Sequence, residues 1–132
     1  MREILFKAKK ESDGEWVYGN LILDKYSSEF GIIESNYCGD EILRDITIPV
    51  KKETICQLVK KNKDGINIFT KDVVEIPYQT MQGSTRKCLL DWNEHCSTFL
   101  LFEEHGMTHT LYDECLLIGN IIDNPSLFIF EK

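Results

Sequence analysis

The sequence predicts a small, mainly β domain, a barrel or roll of about eight short strands with little helix. Three features carry this reading: short apolar runs alternate with polar positions, turn dipeptides recur every eight to twelve residues or so, and apolar residues almost never repeat at helical spacing. With 42% hydrophobic and 28% charged residues over 132 positions, the chain has the apolar surface that one folded core requires.

The first predicted strand is Ile4 to Ala8, "ILFKA". Asp13-Gly14 then closes a hairpin, because Asp-Gly supplies the positive φ angles of a tight turn. In the returning strand Trp16 and Tyr18 share one face and Val17 takes the other. Another strand covers about Gly31 to Ser35, and Gly39-Asp40 ends it. In "ILRDITIPV" Pro49 belongs at a strand end or edge, since proline lacks a ladder donor.

"KKETICQLVKK" is ambiguous: Ile55, Leu58 and Val59 sit at helical spacing and Thr54 is a candidate cap, but the alternation of Ile55, Gln57 and Val59 favours a strand after a single helical turn. Asp64-Gly65 closes the next turn. Ile66 and Ile68 then point one way and Asn67 and Phe69 the other, and Val73, Val74 and Ile76 start a strand that Pro77 restricts. A polar linker, "QTMQGST", leads to three more β-like runs, "RKCLLDW", "TFLLFEE" and "TLYDECLLIGNIID", joined by the short loops "NEHCS" and "HGMTH". "DNPS" turns the chain into a last apolar run, "LFIF".

The formal charge of −7 is uneven: residues 1–65 carry 11 Lys/Arg and 12 Asp/Glu, residues 66–132 carry 4 and 10. The second half repels phosphate, so nucleic-acid binding needs a local basic patch. Two clusters qualify, Lys7, Lys9 and Lys10, and Lys51, Lys52, Lys60, Lys61 and Lys63. No run approaches the roughly 18 apolar residues of a membrane span, and the N-terminus turns charged after Phe6, so a cytoplasmic protein is expected. The five cysteines, Cys38, Cys56, Cys88, Cys96 and Cys115, are scattered without a C-x-x-C pair and read as reduced thiols.

Catalytic candidates are weak. His95-Cys96 would cooperate only in a loop, because adjacent strand residues point to opposite faces. His105 and His109, with Cys88, His95, Cys96 and Glu103-Glu104, would chelate a metal only if "EEHGMTH" folded back; a solvated hairpin tip is the reading preferred. In β context the pairs Glu103-Glu104 and Asp113-Glu114 each split across two faces and are expected to be solvated. No G-x-S-x-G and no phosphate-binding glycine loop occurs.

Three stretches, "MREILFKAKKESDGEWVYGNLI", "KETICQLVKKNKDGINIFTKDVVEI" and "LIGNIIDNPSLF", resemble the YopX-like proteins of bacteriophages and prophages in order and spacing, over about half the chain. The resemblance implies an SH3-type barrel over about residues 51–132, after an N-terminal β part with a hairpin over about residues 1–50. It supplies no catalytic residues, and Trp16, Tyr18, Gly19, Asp64, Gly65, Asp72, Gly119, Asn120, Asn124 and Pro125 look like its turn and core markers. Two positions depart from the pattern: Cys56 stands where the family often has glycine, and Lys71 where it has the glycine of Gly-Asp. If that glycine serves a positive φ, Lys71 is strained or the turn differs.

The expected function is a phage- or prophage-encoded accessory protein, a non-enzymatic interaction module for a host or phage protein, with homo-oligomers as a further expectation. The alternative is a nucleic-acid-associated small barrel that uses Lys7, Lys9, Lys10, Trp16 and Tyr18 with Lys60, Lys61 and Lys63, stacking bases on aromatics within a basic groove. No cofactor, metal or membrane partner is expected.

Overall fold

The computed structural model describes residues 4–24, 27–34, 46–77 and 85–130. Eleven strands and two 3-10 turns make up the regular structure of these residues. The chain divides into two compact units, Met1–Leu58 and Val59–Lys132. Gly39-Asp40, Cys38 and most of the polar linker lie outside the described residues.

The first unit holds β1 (Phe6–Lys9), β2 (Trp16–Leu23), β3 (Phe30–Glu34), β4 (Ile48–Pro49) and the start of β5 (Cys56–Lys61), antiparallel in the order β4-β3-β2-β1-β5. Asp13-Gly14 makes the expected hairpin turn, with Gly14 at φ +75° and Asp13 Oδ1 accepting the Glu15 N–H at 2.9 Å. Pairing of Ala8 with Val17 sets the register, which puts Ala8, Val17, Ile32 and Val50 into one small core. Gly19 is required by close approach: a Cβ there would stand 2.0 Å from the carbonyl oxygen of Ile33 on β3.

Ahead of β5 stands the single expected turn, a 3-10 turn at Lys52–Thr54. Thr54 is not its cap. The buried Thr54 hydroxyl donates to the Lys51 carbonyl at 2.7 Å and accepts the Lys9 N–H at 2.8 Å, which ties the turn to β1.

In the second unit β5 continues beside β6 (Asn67–Phe69), and β7 (Asp72–Pro77), β8 (Thr85–Asn93), β9 (Thr98–Phe102), β10 (Thr108–His109) and β11 (Leu116–Asn120) form a five-stranded antiparallel sheet ordered β10-β9-β8-β7-β11. No closed barrel is found among the described strands; two open antiparallel sheets stand in its place. Val59 and Ile68, from β5 and β6, pack with Val74, Ile76, Cys88, Leu90 and Leu101 into the main core. The opposite face of the five-stranded sheet buries Val73 and Leu89 beneath Phe128, so the final "LFIF" run is a strap and not a strand. Among the described residues no helix is long and apolar enough to cross a membrane.

Two turns shape this unit. At the first, Gly65 takes φ +81°, and the buried Asn62 side chain accepts the Asp64 and Ile66 N–H groups at 2.9 and 3.0 Å. Ile66 thereby stays in the turn and is exposed, whereas Ile68 and Phe69 are both buried; the expected alternation starts one residue too early. At the second, Lys71 takes φ +73°, the left-handed conformation that a glycine would adopt freely. The buried Asp72 Oδ2 accepts the Phe69 N–H at 2.8 Å across this turn.

Two stability outcomes follow. Lys71→Gly should be more stable than Lys71→Ala by about 0.5–1 kcal/mol in urea titrations, because both lose the lysine side chain and glycine alone relieves the left-handed strain, less its own entropy cost. Equal midpoints for the two variants would show that Lys71 is unstrained. Gly19→Ala should cost about 3 kcal/mol or more by the same measurement, since the β2–β3 ladder must open to admit the methyl group.

Candidate functional site

Residue alternation in β1 and β2 turns Lys7, Lys9, Trp16 and Tyr18 to the face opposite the small core, where Lys7 pairs with Tyr18 and Lys9 with Trp16 across the ladder. Both ammonium groups lie over the indole, with Lys7 Nζ 4.7 Å and Lys9 Nζ 5.4 Å from the ring centroid. Lys7 is buried, and Tyr18 is the exposed aromatic of the group. Lys10 instead sits at the hairpin turn, 4.0 Å from the Asp13 carboxylate. Lys60, Lys61 and Lys63 belong to the second unit, where Lys60 is paired with Asp113. Within the first unit the structure therefore groups four of the five predicted nucleic-acid residues and sets both lysines of that group over the tryptophan.

A second cluster forms where the β9–β10 hairpin folds back at Gly106, φ +97°. Glu103 is buried, its side chain 5% exposed, against the expectation of a solvated carboxylate. His109 Nε2 meets one of its oxygens at 2.6 Å, and His105 Nε2 meets the other at 3.0 Å, with Arg86 3.6 Å away. These groups satisfy the buried charge, which explains how it is tolerated. Burial pushes the Glu103 carboxyl up, but the hydrogen bonds from His109 and His105 and their charge outweigh it and hold the group below the usual carboxylate range. The neighbouring Cys88 thiol is pushed up to about 12, first by burial and then by the Glu103 charge, with Arg86 opposing; it is an inert core thiol at neutral pH.

Glu104 projects from the other face of the hairpin, accepting the Ile129 N–H at 2.9 Å and pairing with Lys87 at 3.1 Å. The carboxylate pair is thus split across two faces as expected, with one member buried. Among the described residues, no three His, Cys, Asp or Glu side chains are placed to hold a metal ion. His95 and Cys96 are exposed in the β8–β9 turn, where Asn93 Oδ1 accepts the Cys96 N–H at 2.9 Å. Cys56, Cys88, Cys96 and Cys115 are free thiols.

The third feature was not singled out in the sequence. β11 is the outer strand of the five-stranded sheet, with Leu117 packed on the main core and Leu116 and Ile118 turned outward, 60% and 39% exposed. Its approach is anchored by the Lys63 N–H on the Asp113 carbonyl and by Asn62 Nδ2 on the Cys115 carbonyl, both at 2.9 Å. A register shift between Leu117 and Gly119 bends the strand. Beside it opens a cleft of about 290 Å³, walled by Ile76, Pro77 and Leu116 and lined also by Asp64, Glu75 and Glu114, with Lys63 its one cation among the described residues.

Glu103→Gln should lower stability by about 1–3 kcal/mol at pH 7, since it removes the charge that two imidazoles address. The wild-type carboxyl is depressed in the fold, so its contribution is complete above the unfolded value near 4.3 and is lost as pH falls through the folded value. Urea midpoints taken from pH 7 to pH 3 should therefore draw together for the two proteins only as pH falls below the ordinary carboxylate range. A constant gap over that range would sink the assignment.

Compared with known proteins, the chain matches no family model and no curated protein.

Proposed function

We propose that the protein is a phage- or prophage-encoded accessory protein of YopX-like type, working in the host cytoplasm as a non-enzymatic protein-interaction module. The observation that carries this reading is β11, an outer strand that turns Leu116 and Ile118 to solvent beside an apolar-walled cleft. Outer strands with such side chains are templates for pairing with another chain.

The family assignment rests on the three motif stretches, and several of their residues sit where a shared fold would need them. Gly19 allows close strand approach, Gly65 takes a positive φ, Asp72 closes a turn and Pro125 starts the 3-10 turn Pro125–Leu127. The SH3-type reading of the second unit is supported by the β5–β6 pair packed over the β7–β9 meander around one core. An interaction role accords with the inert, buried thiols Cys88 and Cys115, both raised by burial.

One observation favours the nucleic-acid reading, the shared face of Lys7, Lys9, Trp16 and Tyr18. Its cost is the release of both lysines from the indole, and the net charge of −7 opposes it further.

Affinity capture with cross-linking from host lysate, with light scattering on the purified protein, tests the module reading. One stoichiometric partner, retained after high-salt washing, is the expected result; bait alone, as a monomer, would overturn it. In a gel shift with single- and double-stranded DNA and RNA at low salt, no complex is expected. A salt-sensitive complex abolished by Tyr18→Ala would reverse the order of the two readings.

A further inference from the structure

We infer that β11 and its cleft take an extended segment of a partner protein, apolar at alternate positions and flanked by lysine or arginine, as an added strand on the five-stranded sheet. This rests on the interaction-module reading and gives the partner its chemistry.

The backbone sets the mode. β11 is bonded to β7 on one side, with Leu116 opposite Glu75 and Leu117 opposite Val74, and no described strand pairs with its other side. An added strand finds main-chain groups there and places alternate apolar residues beside Leu116 and Ile118. The register shift at Leu117/Gly119 shortens the available ladder, so affinity must come in part from the flanks.

The charge sets the partner. Asp113 and Glu114 precede the strand, and Asp64, Glu75 and Glu114 line the cleft, with Lys63 its one cation among the described residues. Lys60 is paired with Asp113. A basic flank on the incoming segment meets the cleft carboxylates at the start of the strand. A second copy is disfavoured on the same ground, because its own β11 is preceded by Asp113 and Glu114 and brings no basic flank. Phosphate backbones are repelled for the same reason.

The probe is a fluorescein-labelled peptide, KKVTVTVKK, titrated by anisotropy into the full chain, with hydrogen exchange read over residues 115–120. Saturable binding is expected, together with slowed exchange in β11. Binding should fall at least tenfold for KKVTPTVKK, whose proline removes a ladder donor, and at least tenfold for EEVTVTVEE. The exposed double substitution Leu116→Lys with Ile118→Lys should weaken KKVTVTVKK at least tenfold and leave the thermal midpoint unchanged.

Tolerance of the proline, or unchanged exchange in β11, overturns strand addition. Equal binding of the glutamate peptide overturns the basic partner, and no binding of any peptide overturns the proposal outright. Concentration-dependent dimers protected at β11 overturn it in favour of self-association. If the double variant still captures the cross-linked partner from lysate, the β11 assignment fails while the module reading stands on another surface.

Discussion

The second unit depends on the reversal at Thr70–Asp72. There the chain leaves β6, which pairs with β5, and enters β7, which belongs to the five-stranded sheet. The main core lies between Val59 and Ile68 on one side of this reversal and Val74, Ile76, Cys88, Leu90 and Leu101 on the other. A left-handed non-glycine residue persists only where its surroundings over-determine it. Lys71 meets that condition: its N–H donates to the Leu90 carbonyl at 2.8 Å, its carbonyl accepts the Ile121 N–H at 3.1 Å, and its ammonium lies 3.0 Å from Asp91. Asp72 fixes the same turn from inside through the Phe69 N–H. Strain at one residue is thereby offset by bonds to β6, β8 and the segment after β11.

Buried polar groups pin the unit at two further corners. Asn62 uses both ends of its amide, the oxygen holding the Asp64-Gly65 turn and the nitrogen holding the Cys115 carbonyl, so the turn and the start of β11 are set by one side chain. Glu103 does the same for the β9–β10 hairpin through His105 and His109. Such groups are costly unless satisfied, and satisfied they specify a single arrangement. The C-terminal strap adds a third fastening, with Phe128 over Val73 and Leu89 and Glu104 on the Ile129 N–H. β11 therefore offers its outer side from a firmly held frame.

What the sequence made legible was local. Asp13-Gly14 and Asp64-Gly65 announce their turns because the positive φ they need is carried by the glycine itself. The strand after a single turn at Lys52–Thr54 was the favoured side of an ambiguous period, and it buries Cys56 and Leu58 rather than the alternating Ile55 and Gln57. Lys71 was visible only as a departure from a glycine pattern; that it accepts the strain depends on Leu90 and Ile121, which are distant in sequence. Glu103 looked like a surface carboxylate because the groups that satisfy it when buried, His109 across the hairpin tip and Arg86 on β8, are not signalled by its own neighbours in sequence. The exposure of β11 was hidden for a similar reason: alternation gives the faces of a strand but not its place in the sheet order.

The two surfaces considered for binding differ in how their charge is already engaged. On the β1–β2 face the cations are spent inward, since Lys7 and Lys9 converge on Trp16 and Lys7 is buried. A phosphate must first draw them off the ring, at about 0.5–2 kcal/mol for each contact, before any counterion release helps it. At β11 the carboxylates Glu75 and Glu114 line an open cleft beside exposed Leu116, and Lys60 is paired with Asp113. A basic, extended segment, as proposed, meets carboxylates there rather than cations. The same lysines that made the first strand look like a nucleic-acid site thus serve to cover an aromatic, and the proposed binding surface is the acidic edge instead.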